Sequence, residues 1–397
     1  MAVSTISGIR TTDLVSSSLI KRDVFEAIYN FKPYQTPVAQ YFMANREAKM
    51  RTGSPKFELQ EDVLMPQFDS LTSAITGGGT TDTVNVTNAY HKIGDVIRNT
   101  VANENYIITG ISTLALSVTK IGSGNITATA TQTGGNEILT IGTSKAEGSA
   151  ALVALTTVST FPYNYTEIIA KTVHMSGTQT ATENYGGDDW VNQRMKATEE
   201  FKLEIEREFI YGIRDIKTTA GAYLRYTSGV LDSSGMGISD TSQYVGNTFA
   251  GEDFFFKTFC KNLFAKGSKE KTLLCGADAL LGIGDYAKVK QRIPIQEEEY
   301  GVDIQTILTP FGRAKLVWHP VLEGPYANWV IGLDLDTDFI KYRFLSANGE
   351  NRDMQYQADI HTPGTDEKKA QYLAEIGFHI AGGSQGVHRV LYPGATP

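Results

Sequence analysis

The run Gly382-Gly-Ser384-Gln-Gly386 has the Gly-x-Ser-x-Gly spacing of a nucleophile elbow, with His388 four residues beyond the serine. Such a serine needs a strand before it and a helix after it, then an acid and a histidine later in the chain. Here no Asp or Glu follows Ser384, and the residues that follow are strand-like. The run therefore reads as a hairpin turn. Asp334-Leu-Asp336-Thr-Asp338 opens like a calcium loop. That loop requires Gly at its sixth position and a bidentate Glu at its twelfth, where this chain has Phe339 and Leu345. Strand-end carboxylates fit better. The six histidines (His91, His174, His319, His361, His379, His388) show neither an HExxH motif nor zinc-type Cys/His spacing. Gly282-Ile-Gly284 lacks the third glycine of a dinucleotide fingerprint, and there is no phosphate-loop Gly-Lys-Ser/Thr. The sequence thus predicts no enzyme, no cofactor and no metal site.

Composition narrows the classes further. The 397 residues suffice for two or three sub-domains with a sizeable core. A net charge of −8 argues against a grip on nucleic acid, which needs clustered Lys and Arg. The longest charge run, Glu297-Glu298-Glu299, reads as a solvated loop. No stretch approaches a membrane span, and Met-Ala-Val-Ser-Thr-Ile-Ser lacks the pattern of a secretory signal. A chain made and used in a cytoplasm is expected, so the sequons at Asn85, Asn125 and Asn164 carry little weight. Cys260 and Cys275, both in apolar settings, read as small core residues.

The elements that would position these residues fall into four stretches. Residues 1–56 mix short helical promise, as in Asp23-Val-Phe-Glu-Ala-Ile-Tyr, with Pro33, Pro37 and Pro55. They read as an arm that needs neighbours. From 57 to 162 the chain turns rich in Thr, Gly, Ser and Asn, with short β-prone runs and an alternation of Thr127, Thr129 and Thr131 against Ala128 and Ala130. This predicts a small antiparallel β module on an extended loop.

Gly186 and Gly187 then offer a hinge, and Asp188 or Asp189 caps a long helix to about Ile213. Its packing stripe is Trp190, Met195, Phe201, Ile205 and Phe209, continued by Val191. The polar positions include Lys202 and Glu206, spaced to pair. At ~1.5 Å per residue the helix is roughly 39 Å long and reads as a spine. Beyond a Gly/Ser/Thr-rich loop (218–247) comes an α/β segment. It has a helix from Glu252 with faces Phe255/Phe259/Leu263 and Phe256/Cys260/Phe264, a buried strand Thr272-Leu-Leu-Cys275, and a helix from Ala277 to Lys290. Strands follow at 302–308, 314–319, 329–333, 353–360, 370–380 and 387–392.

In that frame Asn164-Tyr-Thr-Glu-Ile168, Ser176-Gly-Thr-Gln179, the helix after Asp188, and Gln35-Thr36-Pro37-Val38-Ala39 resemble one branch of the tailed-phage major capsid proteins. The resemblance follows the chain in order. It implies an α+β phage major-capsid (Johnson) fold, with an N-terminal arm at 1–56 and an extended loop at 57–162. A peripheral domain at 163–249 and 346–397 would carry the spine 188–213, and an axial domain would occupy 250–345. It implies hexamers and pentamers of this chain in an icosahedral head around double-stranded DNA, bound without sequence-specific contacts. Scaffolding, portal and decoration proteins are the further implied partners, the virion is the implied location, and assembly would take place in the host cytoplasm. A tail, baseplate or adhesin component shares the Thr/Gly-rich β character but does not account for the charged spine helix and the α/β segment.

Overall fold

The computed structural model describes residues 36–132, 135, 137–183, 187–245, 249–289, 295–299, 302–336 and 338–394. The helical promise near Asp23, Gly186 and most of residues 1–56 lie outside them. The chain divides into two compact units, one of residues 60–161 and one of the remainder.

Among the described residues the larger unit holds two large sheets and two two-stranded ones. In the first, Lys49–Thr52, Ile340–Ala347, Glu367–Ile380 and Glu167–Ser176 lie side by side. The antiparallel register of the last two runs from Glu167 opposite Ile376 to Ser176 opposite Glu367. From Ala374 to Ile380 every residue is buried, so both faces of that half-strand are covered. The second sheet has seven strands in the order Thr241–Tyr244, Arg389–Pro393, Val330–Leu333, Glu270–Cys275, Arg313–Trp318, Val302–Leu308 and Ile295–Glu299.

Strand pairing redraws the expected segments. The boundary at residue 346 cuts through the strand Ile340–Ala347, which pairs with Glu367–Ile380. The C-terminal strand Arg389–Pro393 joins the sheet of the 250–345 segment instead. The linking run 381–388, expected as a hairpin turn, connects strands of two different sheets. The Gly/Ser/Thr-rich loop contains a hairpin (Asp215–Thr219 with Ala222–Tyr226) and an edge strand. The acidic run is no loop either, for Glu299 pairs with Val302 in a ladder.

The long helix spans Asp189–Tyr211. Its N-cap is Asp188, whose carboxylate accepts the Trp190 N–H at 2.9 Å. It ends at Gly212, where a Cβ would lie 2.6 Å from the carbonyl oxygens of both Glu208 and Thr227. Trp190, Phe201, Ile205 and Phe209 are buried, and each apolar side chain of that size contributes roughly 1.5–3 kcal/mol. Met195 departs from the expected stripe, being 54% exposed, with Val191 at 43%. Five residues at ~100° each carry Met195 about 140° around the helix from Trp190. Ala197, seven residues on, takes the buried position.

The residues just before the first sheet are core, although the sequence read them as an arm needing neighbours. Val38, Tyr41, Phe42, Ala48 and Phe57 belong to the same hydrophobic cluster as Phe209 and Phe378. Phe42 meets the Phe209 ring edge-on at 5.6 Å. At Glu252 the expected helix forms with a π-helical stretch, Phe254–Cys260. The wider turn puts Phe255, Phe259, Cys260 and Leu263 inside and leaves Phe256 and Phe264 half-buried at the edge.

The smaller unit is a six-stranded antiparallel sheet in the order Phe68–Asp69, Ile138–Thr143, Asp95–Asn99, Glu104–Ser112, Ala115–Lys120, Thr81–Asn85. Ile97, Tyr106, Ile108, Leu116 and Val118 fill its core. The alternating Thr/Ala run makes only one bridge, Thr129 to Ile75, and Ala128 and Ala130 are exposed. Side-chain bonds hold it instead. Glu104 accepts from the Thr127 N–H at 3.0 Å and hydroxyl at 2.7 Å, and Asn99 donates to the Thr129 hydroxyl at 2.8 Å.

Candidate functional site

The chemistry-bearing residues of the larger unit form buried polar junctions that lock its elements together. The first ties the long helix to the short helix Pro37–Ala44. That helix begins with a proline, and its N-cap Thr36 makes no side-chain cap bond. The buried N–H groups of Val38 and Ala39 would therefore be stranded. Glu206 reaches across and accepts both, at 3.0 and 2.7 Å. A carboxylate at a helix N-terminus is also favoured by the helix dipole. His319 completes the junction, with Nε2 2.6 Å from Glu206 Oε1. Its Nδ1 accepts from the Val321 N–H at 3.3 Å, which leaves the proton on Nε2 to donate to Glu206. Glu206 was expected on the polar face beside Lys202, yet it is 1% exposed.

The second junction is Asn164, fully buried. Its amide donates to the Thr227 hydroxyl (3.2 Å) and the carbonyls of Ser228 (3.1 Å) and Phe378 (2.8 Å). Its oxygen accepts from the N–H groups of Ser228 (2.7 Å) and Tyr165 (2.8 Å). The sequon is thus a structural hub with no room for a glycan. Two residues on, the Thr166 hydroxyl donates to Glu375 at 3.2 Å, and Glu375 also pairs with Arg352 (2.6 Å) and Arg225 (3.2 Å). Burial pushes the Glu167 carboxyl up to about 7, against the Thr227 N–H bond and with help from the Glu208 charge.

The third junction contains His388, first examined for catalysis, and Asp334, first examined as a calcium ligand. Lys271 is buried, with its ammonium on Asp334 (2.8 Å) and the carbonyls of Lys266 (3.0 Å) and Val387 (2.9 Å). Asp334 also accepts from Ser268. His388 accepts the Asp334 N–H on Nδ1 at 3.0 Å and places Nε2 3.1 Å from the Ala381 carbonyl. Burial, then the Lys271 charge, pull its imidazole down to about 4. Both ring nitrogens are committed, so His388 offers Ser384 no base. No group of three or more His, Cys, Asp or Glu among the described residues is arranged to hold a metal. Cys260 and Cys275 are buried and free, and burial raises the Cys260 thiol to about 12.

Of the residues expected to act in shell movement, Gly187 has φ +79, and a Cβ there would meet nothing within 4 Å. Sequence reading missed Glu206 and His319. The one available signal was a carboxylate near the helix's apolar side; nothing local points to His319, 113 residues away.

A long helix and a short helix packed on one sheet, a second mixed sheet in the same unit and a separate β module make an α+β structure of the Johnson fold. The model of the SU10 major capsid protein family matches residues 6–382, and the chain belongs to that family. It is a bacteriophage-type major capsid protein, a structural protein that self-assembles in many copies, in a family that is not enzymatic. The capsid asymmetric unit of cyanophage A-1(L) matches at TM-score 0.52 and 9% identity, over 96% of this chain and 99% of that one. Mycobacterium phage Bobi matches at TM-score 0.46 and 7% identity, over 97% and 99%. The capsid of a native GTA particle matches at 0.45 and 10%, over 97% and 98%. The likeness in fold rests on the first of these. No curated protein matches the chain.

Proposed function

We propose that this chain forms the hexamers and pentamers of an icosahedral head that encloses double-stranded DNA, in the virion, after assembly in the host cytoplasm. The family match over residues 6–382 carries the reading. The net charge of −8 supports a wall that contains DNA without gripping it. Scaffolding, portal and decoration proteins are the partners such a head would use.

Within the shell, residues 57–162 act as the extended loop that overlies a neighbouring copy. Apolar side chains left in solvent at its ends support this: Leu64 is 92% exposed, Val158 87% and Val153 74%. The segment 250–345, completed by Thr241–Tyr244 and Arg389–Pro393, acts as the axial domain, and the unit around the long helix as the peripheral one. Gly186 and Gly187 act as the pivot between precursor and expanded shells.

Expression of the chain, followed by negative-stain microscopy and sedimentation velocity, tests the assembly. Closed shells or capsomer rings are expected; a monodisperse monomer or slender trimer under every condition, including added phage proteins, would refute it. Normal assembly and expansion of a Gly186→Ala/Gly187→Ala variant would remove the pivot.

A further inference from the structure

Two features of the larger unit hold apolar or aromatic side chains open to solvent. The first is the hairpin Asp215–Thr219/Ala222–Tyr226, a two-stranded sheet that no other strand among the described residues joins. Ala220 and Gly221 at its tip both have positive φ, +50° and +81°, as a tight two-residue hairpin turn requires. Every residue from Asp215 to Leu224 is exposed, including Ile216 at 40%, Tyr223 at 68% and Leu224 at 46%. A lone two-stranded hairpin is marginally stable in water, and this one holds its apolar side chains out to solvent.

The second feature is a groove of about 870 Å³ lined by Tyr211, Leu231, Val321, Tyr326, Trp329 and Tyr392, among others. Its aromatic rings form a continuous ladder. Tyr211 and Tyr326 have centroids 5.1 Å apart, Tyr326 and Trp329 5.0 Å, and Trp329 and Tyr392 4.8 Å. Ile213, just before the hairpin, lines the groove, while no residue from 215 to 226 does. The hairpin therefore rises from the groove's rim and does not fill it.

We propose that the hairpin of one copy seats the face carrying Tyr223 and Ile216 in the aromatic groove of a second copy of this chain. The proposal rests on self-assembly into a shell. The charges at the margins are complementary. The groove is bordered by Arg207 and Glu323, neither of which has an ion pair among the described residues. The hairpin carries Asp215 and Lys217, which are 3.7 Å apart and exposed. Seating brings Asp215 and Lys217, on the hairpin's other face, to a rim that carries Arg207 and Glu323. Because hairpin and groove are different patches of one surface, the contact is heterologous. It propagates head to tail and closes into a ring where the rotation allows.

Disulfide trapping tests this directly, since both native cysteines are fully buried. Tyr223→Cys and Pro325→Cys are made separately and co-assembled into particles. Copper–phenanthroline then serves as the oxidant, taking two electrons and two protons from each thiol pair. A reducible covalent dimer is expected, at least tenfold above the yield of either variant alone. Particles without that dimer would overturn the proposal. A dimer from Tyr223→Cys alone would place hairpin against hairpin and overturn it equally. Tyr223→Glu is expected to lower the assembled fraction at least tenfold with an unchanged monomer melt, while Tyr223→Phe assembles normally; wild-type assembly by Tyr223→Glu would also refute the contact. Absence of particles from the unmodified chain would instead sink the shell reading, and this contact with it.

Discussion

Glu206 is the residue on which the junction of arm helix and long helix turns, and its replacement has a calculable effect. Its carboxylate receives three donors, the N–H groups of Val38 and Ala39 and Nε2–H of His319, in a site closed to water. In Glu206→Gln the amide oxygen can take the place of Oε1 and still accept from the Val38 N–H and the His319 imidazole N–H. Its NH2, however, then takes the place of Oε2 and faces the Ala39 N–H, and donor meets donor. One hydrogen bond to a charged acceptor is lost, worth about 1.5–3 kcal/mol. Glu206→Leu strands all three donors at about 1–3 kcal/mol each, and partial relaxation places the expected loss near 4 kcal/mol.

Urea unfolding of the dispersed chain, followed by circular dichroism, measures the difference. Hydrogen exchange locates it, because the loss should appear first in the amides of 38–44. The conservative variant should fall between wild type and Glu206→Leu. A Glu206→Leu change below about 1 kcal/mol at unchanged m-value would refute the reasoning. So would exchange protection at 38–44 equal to that of the wild type.

Other outcomes follow from the same geometry. Glu167 has its folded-state value raised to about 7 by burial, opposed by the Thr227 N–H bond and reinforced by Glu208. The folded state therefore holds its proton more tightly, and stability present below the ordinary carboxylate range is lost as pH rises through about 7. After allowance for partial exposure the loss is on the order of 1–2 kcal/mol, and the difference in urea midpoint between pH 5 and pH 8 should shrink in Glu167→Gln. Asn164→Asp sets a carboxylate against the carbonyls of Ser228 and Phe378. A loss of roughly 3 kcal/mol or more is expected, read as a lower melting temperature and soluble yield; a melt within two degrees of wild type would count against the hub. Lys271→Met strands Asp334 in the interior at a cost of about 3–5 kcal/mol, while Lys271→Met/Asp334→Leu should recover most of it. Equal losses in the single and double variants would show that the pair is not what holds that junction.

The long helix was legible because its causes are local. Asp188 caps it, Phe201, Ile205 and Phe209 repeat at helical spacing, and a glycine ends it. The β character of the 57–162 stretch was legible from its turn residues and short β-prone runs, and short motifs in order were enough for the resemblance to capsid proteins. Tertiary structure decided what depends on partners distant in sequence. Met195 and Glu206 both lie on the long helix, and only the packed sheet and arm helix show that the first faces water and the second is buried. The Thr/Ala alternation at 127–131 had the period of a strand, but Glu104 and Asn99 held its polar groups and left it with one bridge. Strand membership was likewise decided at long range, since Ile340 pairs with Ile380 and Val330 with Leu391 through contacts that no sequence window contains. Local chemistry fixes where elements begin and end; which face is buried, and which polar groups find partners, is set by what folds against them.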